Sequence, residues 1–255
     1  MSLVLTPLPG LPLVKPGDDL ASLVLSALEG AGLACEDGDI FVVTQKIISK
    51  AEGRLVNLAA VIPCARAIHL AQQIDKDPRL IELILGESRE VLRTRPGTII
   101  VEHRLGFVCA NAGIDHSNVA GVVDELEEWV LLLPENPDES ARQLRQDLEA
   151  ATGKRLGVLV IDSHGRAWRM GTVGVAIGLS GLPGLVDLRG EPDLFGYTLR
   201  ITQVGAADEL AAAASLMMGQ AAEGTPVVHV RGFPYPLREG ALPELLRPRV
   251  LDMFR

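Results

Sequence analysis

Three short, largely apolar runs constrain this chain most: Ile40 to Val43, the GVLVI of RLGVLVIDSHG, and Val227 to Val230. Each is too short for a buried helix, rich in β-branched residues and bounded by Gly, Pro or Asp, so each is predicted to be a buried strand. Helical periodicity fills the chain between them. Asp18 or Asp19 can cap a helix through LASLVLSALEGAGL, ended by Gly30 and Gly32. CARAIHLAQQIDKDPRLIELILGESREVLR carries apolar residues at helical spacing and predicts two helices, broken at Pro78. TIIVEHRLGFVCANAG reads as a hairpin, Thr98 to Glu102 and Phe107 to Ala110, with Gly106 near its turn. PENPDESARQLRQDLEAATG predicts a helix stopped at Gly153, and DELAAAASLMMGQAAEG an Ala-rich helix followed by a turn. Strands alternating with helices make the fold class α/β, mixed α+β, with mixed sheets and flanking helices. No repeat or linker divides residues 1–255, so the chain is taken as one unit.

Charge and cysteine usage exclude several functions. A net charge of −9 disfavours binding to the nucleic-acid backbone, which needs a basic face, and suits a protein that handles small molecules. Cys35, Cys64 and Cys109 lie far apart without CxxC spacing, so neither a zinc knuckle nor a disulfide framework is expected. The N-terminus has no signal-peptide pattern and no apolar run reaches the roughly 18 residues of a membrane span. A cytoplasmic protein is expected.

Four places carry candidate chemistry. Asp115 and Asn118 in NAGIDHSN offer hard oxygen ligands suited to Mg²⁺ or Mn²⁺, although taken alone an Asx-rich turn bonding its own backbone is the commoner explanation of such a run. Asp162 and Ser163 follow a buried strand, where a rigid sheet end fixes a ligand, and Arg166 and Arg169 close behind can grip phosphate or carboxylate. The alternative there is a capped turn with solvated arginines. Gln45, Lys46, Ser49 and Lys50 form a polar strand exit in which lysine can bind phosphate, or in which Lys50 and Glu52 make a solvated turn. Met218 to Gly224, MGQAAEG, offers Gly backbone, Gln220 and Glu223, or an ordinary helix C-cap at Gly219 or Gly224. No GxxxxGK[ST], GxGxxG or GxSxG motif occurs, and Cys109 reads as a buried structural thiol. His69, His103 and His229 read as structural, whereas His116 and His164 adjoin the aspartates and can steady them or sit in solvent.

In order, LPGLPLVKPGDDL, VVTQKIISKAEGR, CANAGIDHSNV, IDSHGRAWRMGTVGVAIG and ADELAAAASLMMGQAAEGTPVV resemble the coenzyme F420-0:γ-glutamyl ligase family along essentially the whole chain. The resemblance implies a GTP-dependent ligase that adds L-glutamate to a deazaflavin precursor, coenzyme F420-0, on a mixed α/β fold of its own, as an intertwined homodimer. It implies Asp115 and Asp162 as divalent-metal ligands, with Ser163 standing where the family more often has Thr. It implies nucleotide contacts at Pro9, Gly10, Leu11, Pro12, Gln45, Lys46, Lys50 and Asn118. The segment Met218, Gly219, Gln220, Glu223 and Gly224 is implied as a further nucleotide contact, with Gln220 a ligand to a second metal. Two Mg²⁺ or Mn²⁺ ions and GTP are therefore the expected cofactors, with K⁺ a further candidate. Some members carry a flavin-binding reductase domain after this unit; with the chain stopping at Arg255, that activity is not expected. The alternatives are a ligase of this architecture acting on another acid and a non-catalytic protein that binds deazaflavin or nucleotide.

Overall fold

The structure, a computed structural model, describes residues 2–116 and 128–253. The extended opening becomes β1 (Val4–Pro7), and α1 (Leu20–Gly30) follows, capped by the Asp19 carboxylate that accepts from Ser22 N. β2 (Ile40–Thr44) runs directly into α2 (Gln45–Ala51) and on to β3 (Leu55–Asn57). α3 (Ala65–Ile74) and α4 (Pro78–Gly86) flank the predicted break, with Pro78 in the first turn of α4, where a missing N–H is harmless. β4 (Ser88–Arg95), β5 (Thr98–His103) and β6 (Val108–Ala110) form an antiparallel sheet in that order. β7 (Trp129–Leu131) pairs with β3, and α5 (Pro137–Thr152) leads into β8 (Gly157–Arg166) and β9 (Arg169–Ser180). β10 (Val186–Asp187) and β11 (Gln203–Val204) pair with each other before α6 (Ala206–Met218) and β12 (Val227–Arg231).

All three predicted buried strands belong to one five-stranded sheet of order β1-β12-β2-β8-β9. β2 and β8 run parallel, in register from Ile40 opposite Gly157 to Thr44 opposite Ile161, and every other pairing in the sheet is antiparallel. Alternation along each strand explains why the runs are apolar throughout. Phe41, Val43, Val158 and Val160 point to one face and pack with Val24 and Leu28 of α1 and Leu144 and Leu148 of α5. Ile40, Val42, Leu159 and Ile161 point to the other and pack with Leu210, Ala211 and Ala214 of α6. Gly174 lets that helix sit so close, because a Cβ there would lie 2.4 Å from the Ala211 carbonyl oxygen. A separate core gathers Ala67, Ala71 and Ile74 of α3, Ile81 and Ile84 of α4, and Ile99 and Val101 of β5.

The architecture agrees with the mixed α/β class, and three local expectations are corrected. The second helix of the 64–93 segment ends at Gly86, and Ser88–Arg95 is strand, because β5 supplies an antiparallel partner from Ser88–His103 to Arg95–Thr98, with two register shifts between. The polar strand exit from Gln45 to Lys50 is a helix, and Lys50 is buried, against the alternative of a solvated turn with Glu52. The polar stretch after GVLVI stays in β8 as far as Arg166, paired along its length with β9, an element absent from the sequence-based expectations. Tertiary pairing overrides local polarity in both strands.

Candidate functional site

Because β2 and β8 are parallel, their carboxyl ends open on the same side of the sheet, where open α/β sheets ordinarily receive ligands. A cavity of about 660 Å³ lies there. Its wall takes Leu11 and Pro12 from the opening loop, Gln45, Lys46 and Lys50 from α2, Asn111 and Asp115 from the loop after β6, Asp162 and Ser163 from β8, Met218 at the end of α6, and Gly219 to Pro226 after it. Four sequence segments singled out for separate reasons thus meet in one space.

Asp115 is set by a two-way backbone bridge to Leu131, whose N and O both bond it. Its Oδ2 accepts from Gln45 Nε2 at 2.9 Å and lies 2.9 Å from Lys46 Nζ. Ser49 Oγ donates to Gln45 Oε1 at 2.9 Å, so one turn of α2 fixes the amide that fixes the carboxylate. Burial pushes the Asp115 carboxyl above its usual range, with the charge of Asp162 adding to it and Lys46 opposing. Asp162 behaves oppositely: burial would raise it, but the hydrogen bond and charge of His164, the Ser163 N–H and Lys46 hold it below its usual value. His164 Nε2 stands 3.1 Å from Asp162 Oδ2. Lys50, buried with Lys46 nearby, has its ammonium pKa lowered, by burial first and by its neighbour second.

Behind His164 a stack of rings leads away from the cavity. Phe107 lies 5.3 Å from the His164 ring and stacks on His103 at 5.1 Å and 6°. His103 Nε2 is 3.6 Å from Glu87 Oε2, and Glu87 is held by Arg54 at 3.1 Å and Arg104 at 2.8 Å. Burial opposes the Glu87 charge, but His103 and the arginines bring its carboxyl down to about 2, while burial lowers the His103 pKa. His103 is therefore structural, as expected, and so is His229, buried against Asp39 at 2.8 Å. Cys109 is buried, with its thiol pushed up to about 12 by burial, then by Asp162.

The donor set suits a hard divalent cation. Asp115, Asp162 and Ser163 present oxygens, and Gln220 Oε1 already accepts from Ser163 Oγ at 2.9 Å while Gln220 Nε2 donates to Ser215 Oγ. Among the described residues no group of three or more His, Cys, Asp and Glu side chains could hold a metal. Mg²⁺ and Mn²⁺ fit such a site because they take one or two carboxylates and fill the remaining shell with phosphate oxygens and water. Pro9 and Gly10 sit on the exposed rim of the opening loop, outside the cavity wall, and Arg166 and Arg169 lie beyond it toward the β8–β9 tip. Asn118 lies outside the described residues.

Sequence reasoning assigned no role to Asn111. Asn111, Ala112 and Gly113 take φ of 52°, 53° and 66°, three left-handed residues in succession. A Cβ on Gly113 would fall 2.7 Å from Leu133 Cδ1, so only glycine fits there. Asn111 Oδ1 is buried and has no hydrogen-bond partner among the described residues. The only sequence signal was its place in the polar run around Asp115.

A sheet whose parallel strand ends open on a cavity lined by carboxylates and lysines defines an α/β protein built to receive a polar small molecule. More particularly, the chain belongs to the F420-0:γ-glutamyl ligase family, whose model matches residues 10–232. It is 48% identical over 257 residues, all of both chains, to the coenzyme F420:L-glutamate ligase of Methanothermobacter thermautotrophicus. The proteins of the same description from Methanocaldococcus jannaschii and Archaeoglobus fulgidus are each 44% identical, over 96% and 98% of this chain and 94% and 95% of theirs.

Proposed function

We propose that this chain is a ligase that joins the amine of L-glutamate to a carboxylate of coenzyme F420-0, driven by GTP and a divalent cation. The observation that carries the proposal is the meeting of Asp115 and Asp162, from segments far apart in the chain, with Lys46, Lys50 and the segment after α6 in one cavity. Membership of the family and the names of the relatives support the glutamate and F420 part. No helix among the described residues is long and apolar enough to cross a membrane.

A carboxylate is a poor electrophile, so amide formation needs a better leaving group first. In the proposed sequence a carboxylate oxygen of F420-0 attacks the γ-phosphorus of GTP, the bond to the β-bridging oxygen breaks, and GDP leaves. The amine nitrogen of glutamate then attacks the acyl carbon, the carbon–oxygen bond to phosphate breaks, and the ammonium's two surplus protons go to phosphate and solvent. Asp115, Asp162, Ser163 and Gln220 would hold Mg²⁺ or Mn²⁺, which would supply positive charge against the developing charge of phosphoryl transfer. Lys46 and Lys50 supply the cavity's fixed positive charge for the polyphosphate, and Leu11, Pro12 and the Met218–Gly224 segment shape the nucleotide's bed. Arg166 and Arg169, at the hairpin tip, are assigned to the carboxylates of the incoming acid.

Incubation with GTP, Mg²⁺ or Mn²⁺, L-glutamate and F420-0 is expected to yield product heavier by one glutamyl unit, read by mass spectrometry. GDP release without that gain would direct the reading to a different acid, and no nucleotide turnover would end it.

A further inference from the structure

We propose that His164 is a positioning residue for the cation site, its ring Nε2 donating to Asp162 Oδ2 and so fixing the carboxylate that would ligate the metal; this rests on the metal role given to Asp162 above.

The strand itself places the pair. Asp162 and His164 are two residues apart in β8, so their side chains leave the same face of the sheet, and both line the cavity. Nε2 and Oδ2 stand 3.1 Å apart, with the two side chains only 10% and 13% exposed. An ionised carboxylate can only accept, so the imidazole carries a proton on Nε2. With little water reaching either group, the imidazole and the Ser163 N–H set the way the carboxylate faces.

The ring is held in its turn. Phe107 packs on it at 5.3 Å and is seated against both the core around α1 and α5 and the core of α3 and α4. Phe107 also stacks on His103, which is fully buried and accepts from the Leu105 N–H at Nδ1, at 3.1 Å. That leaves the His103 proton on Nε2, toward Glu87, which Arg54 and Arg104 hold. The donor that meets Asp162 is thus fastened to groups deep in the fold.

The other acidic ligand has a matching arrangement. Gln45 Nε2 donates to Asp115 Oδ2, and Ser49 braces Gln45. His164 does for Asp162 what Gln45 does for Asp115. It acts through the carboxylate rather than as a ligand, because its Nε2 is already committed and Mg²⁺ and Mn²⁺ favour oxygen. Removing such an outer hydrogen bond costs roughly 10- to 100-fold in metal affinity or activity in other metal sites.

The test is titration of Mn²⁺, followed by the EPR signal of the free ion, on the protein alone and with GDP. Mn²⁺ and GDP without protein serve as the control. His164→Phe keeps a ring against Phe107 and removes the donor, and His164→Leu serves the same purpose if the first variant does not fold. His164→Gln keeps an N–H in place of the ring. The donor-less variant is expected to weaken Mn²⁺ binding about tenfold or more with Tm little changed, and His164→Gln to recover part of the loss. Mn²⁺ bound by the donor-less variant as tightly as by the wild type, or His164→Gln no better than that variant, would each overturn the assignment. A wild-type protein that binds no Mn²⁺ under either condition would sink the metal role of Asp162 itself, a result distinct from both.

Discussion

Single side chains decide how much charge this cavity can hold. Asp115 and Asp162 face the same space, yet their carboxyls shift in opposite directions, Asp115 upward through burial and Asp162 downward through His164 and its other partners. The pair thus shares its charge unevenly, and Lys46 is the cation nearest to hand for Asp115. Asp115→Asn keeps the shape and the backbone bridge to Leu131, so it is expected to leave Tm nearly unchanged and lower kcat by roughly a hundredfold or more. Near-normal ligation would remove Asp115 from the metal role. Glu87 makes a different kind of prediction, about stability. Its folded carboxyl titrates near 2 against an ordinary 4.5, so its contribution is complete above 4.5 and is lost as pH falls from 4.5 toward 2. Buried His103, whose pKa is lowered, adds to the same trend by resisting protonation as pH falls. Chemical denaturation as a function of pH should show Glu87→Gln destabilised at neutral pH by on the order of 2–3 kcal/mol and with a flatter acid limb than the wild type.

Whole elements are placed by contacts as close as those at the site. β9 must pass beneath α6, and Gly174 is the point of nearest approach, 2.4 Å from an Ala211 oxygen were it given a Cβ. Gly174→Ala is expected to cost about 1–3 kcal/mol in thermal or chemical denaturation; a neutral effect would mean that α6 can withdraw. Such withdrawal would also disturb the cavity, because Ser215 and Met218 of that helix line it. α2 does similar work from the other side. Its first turn carries Gln45 and Lys46 toward Asp115 while Ile47 and Ile48 anchor it in the core beneath. The sequence showed Gln45, Lys46 and Lys50 as a polar group after a strand, but not that Ser49 braces Gln45, because that bond exists only once the helix forms.

On the scale of the whole molecule, the arm between β10 and β11 presents several of the exposed apolar side chains, Leu194, Phe195, Tyr197 and Ile201. Leu194 and Phe195 are each 91% exposed and Ile201 88%, a grouping that a lone protomer gains nothing by presenting to water. A homodimer that covers this arm is proposed on that ground. Sedimentation equilibrium at micromolar concentration is expected to return twice the chain mass, and Leu194→Ser with Phe195→Ser to shift it toward one. A wild-type protein that sediments as a monomer would leave those side chains without their proposed cover.

Much of the scaffold was determined by the sequence alone. Buried runs at Ile40–Val43 and in GVLVI, the Asp19 cap, the Pro78 break and the Gly153 stop are local, since each depends on the conformational preference or hydration of a few neighbouring residues. Polar groups crowded at strand ends were legible too, and those segments meet at one cavity. Tertiary structure decided the rest. It turned ESREVLR into a strand by offering β5 as a partner, kept DSHGR in β8 by pairing it with β9, set residue 45 level with residue 162 by laying β2 and β8 parallel, and fixed residue 115 through its bridge to Leu131. Long-range pairing and the left-handed turn at Asn111 leave no periodicity to read, because their energies come from surfaces that meet only when the chain has closed.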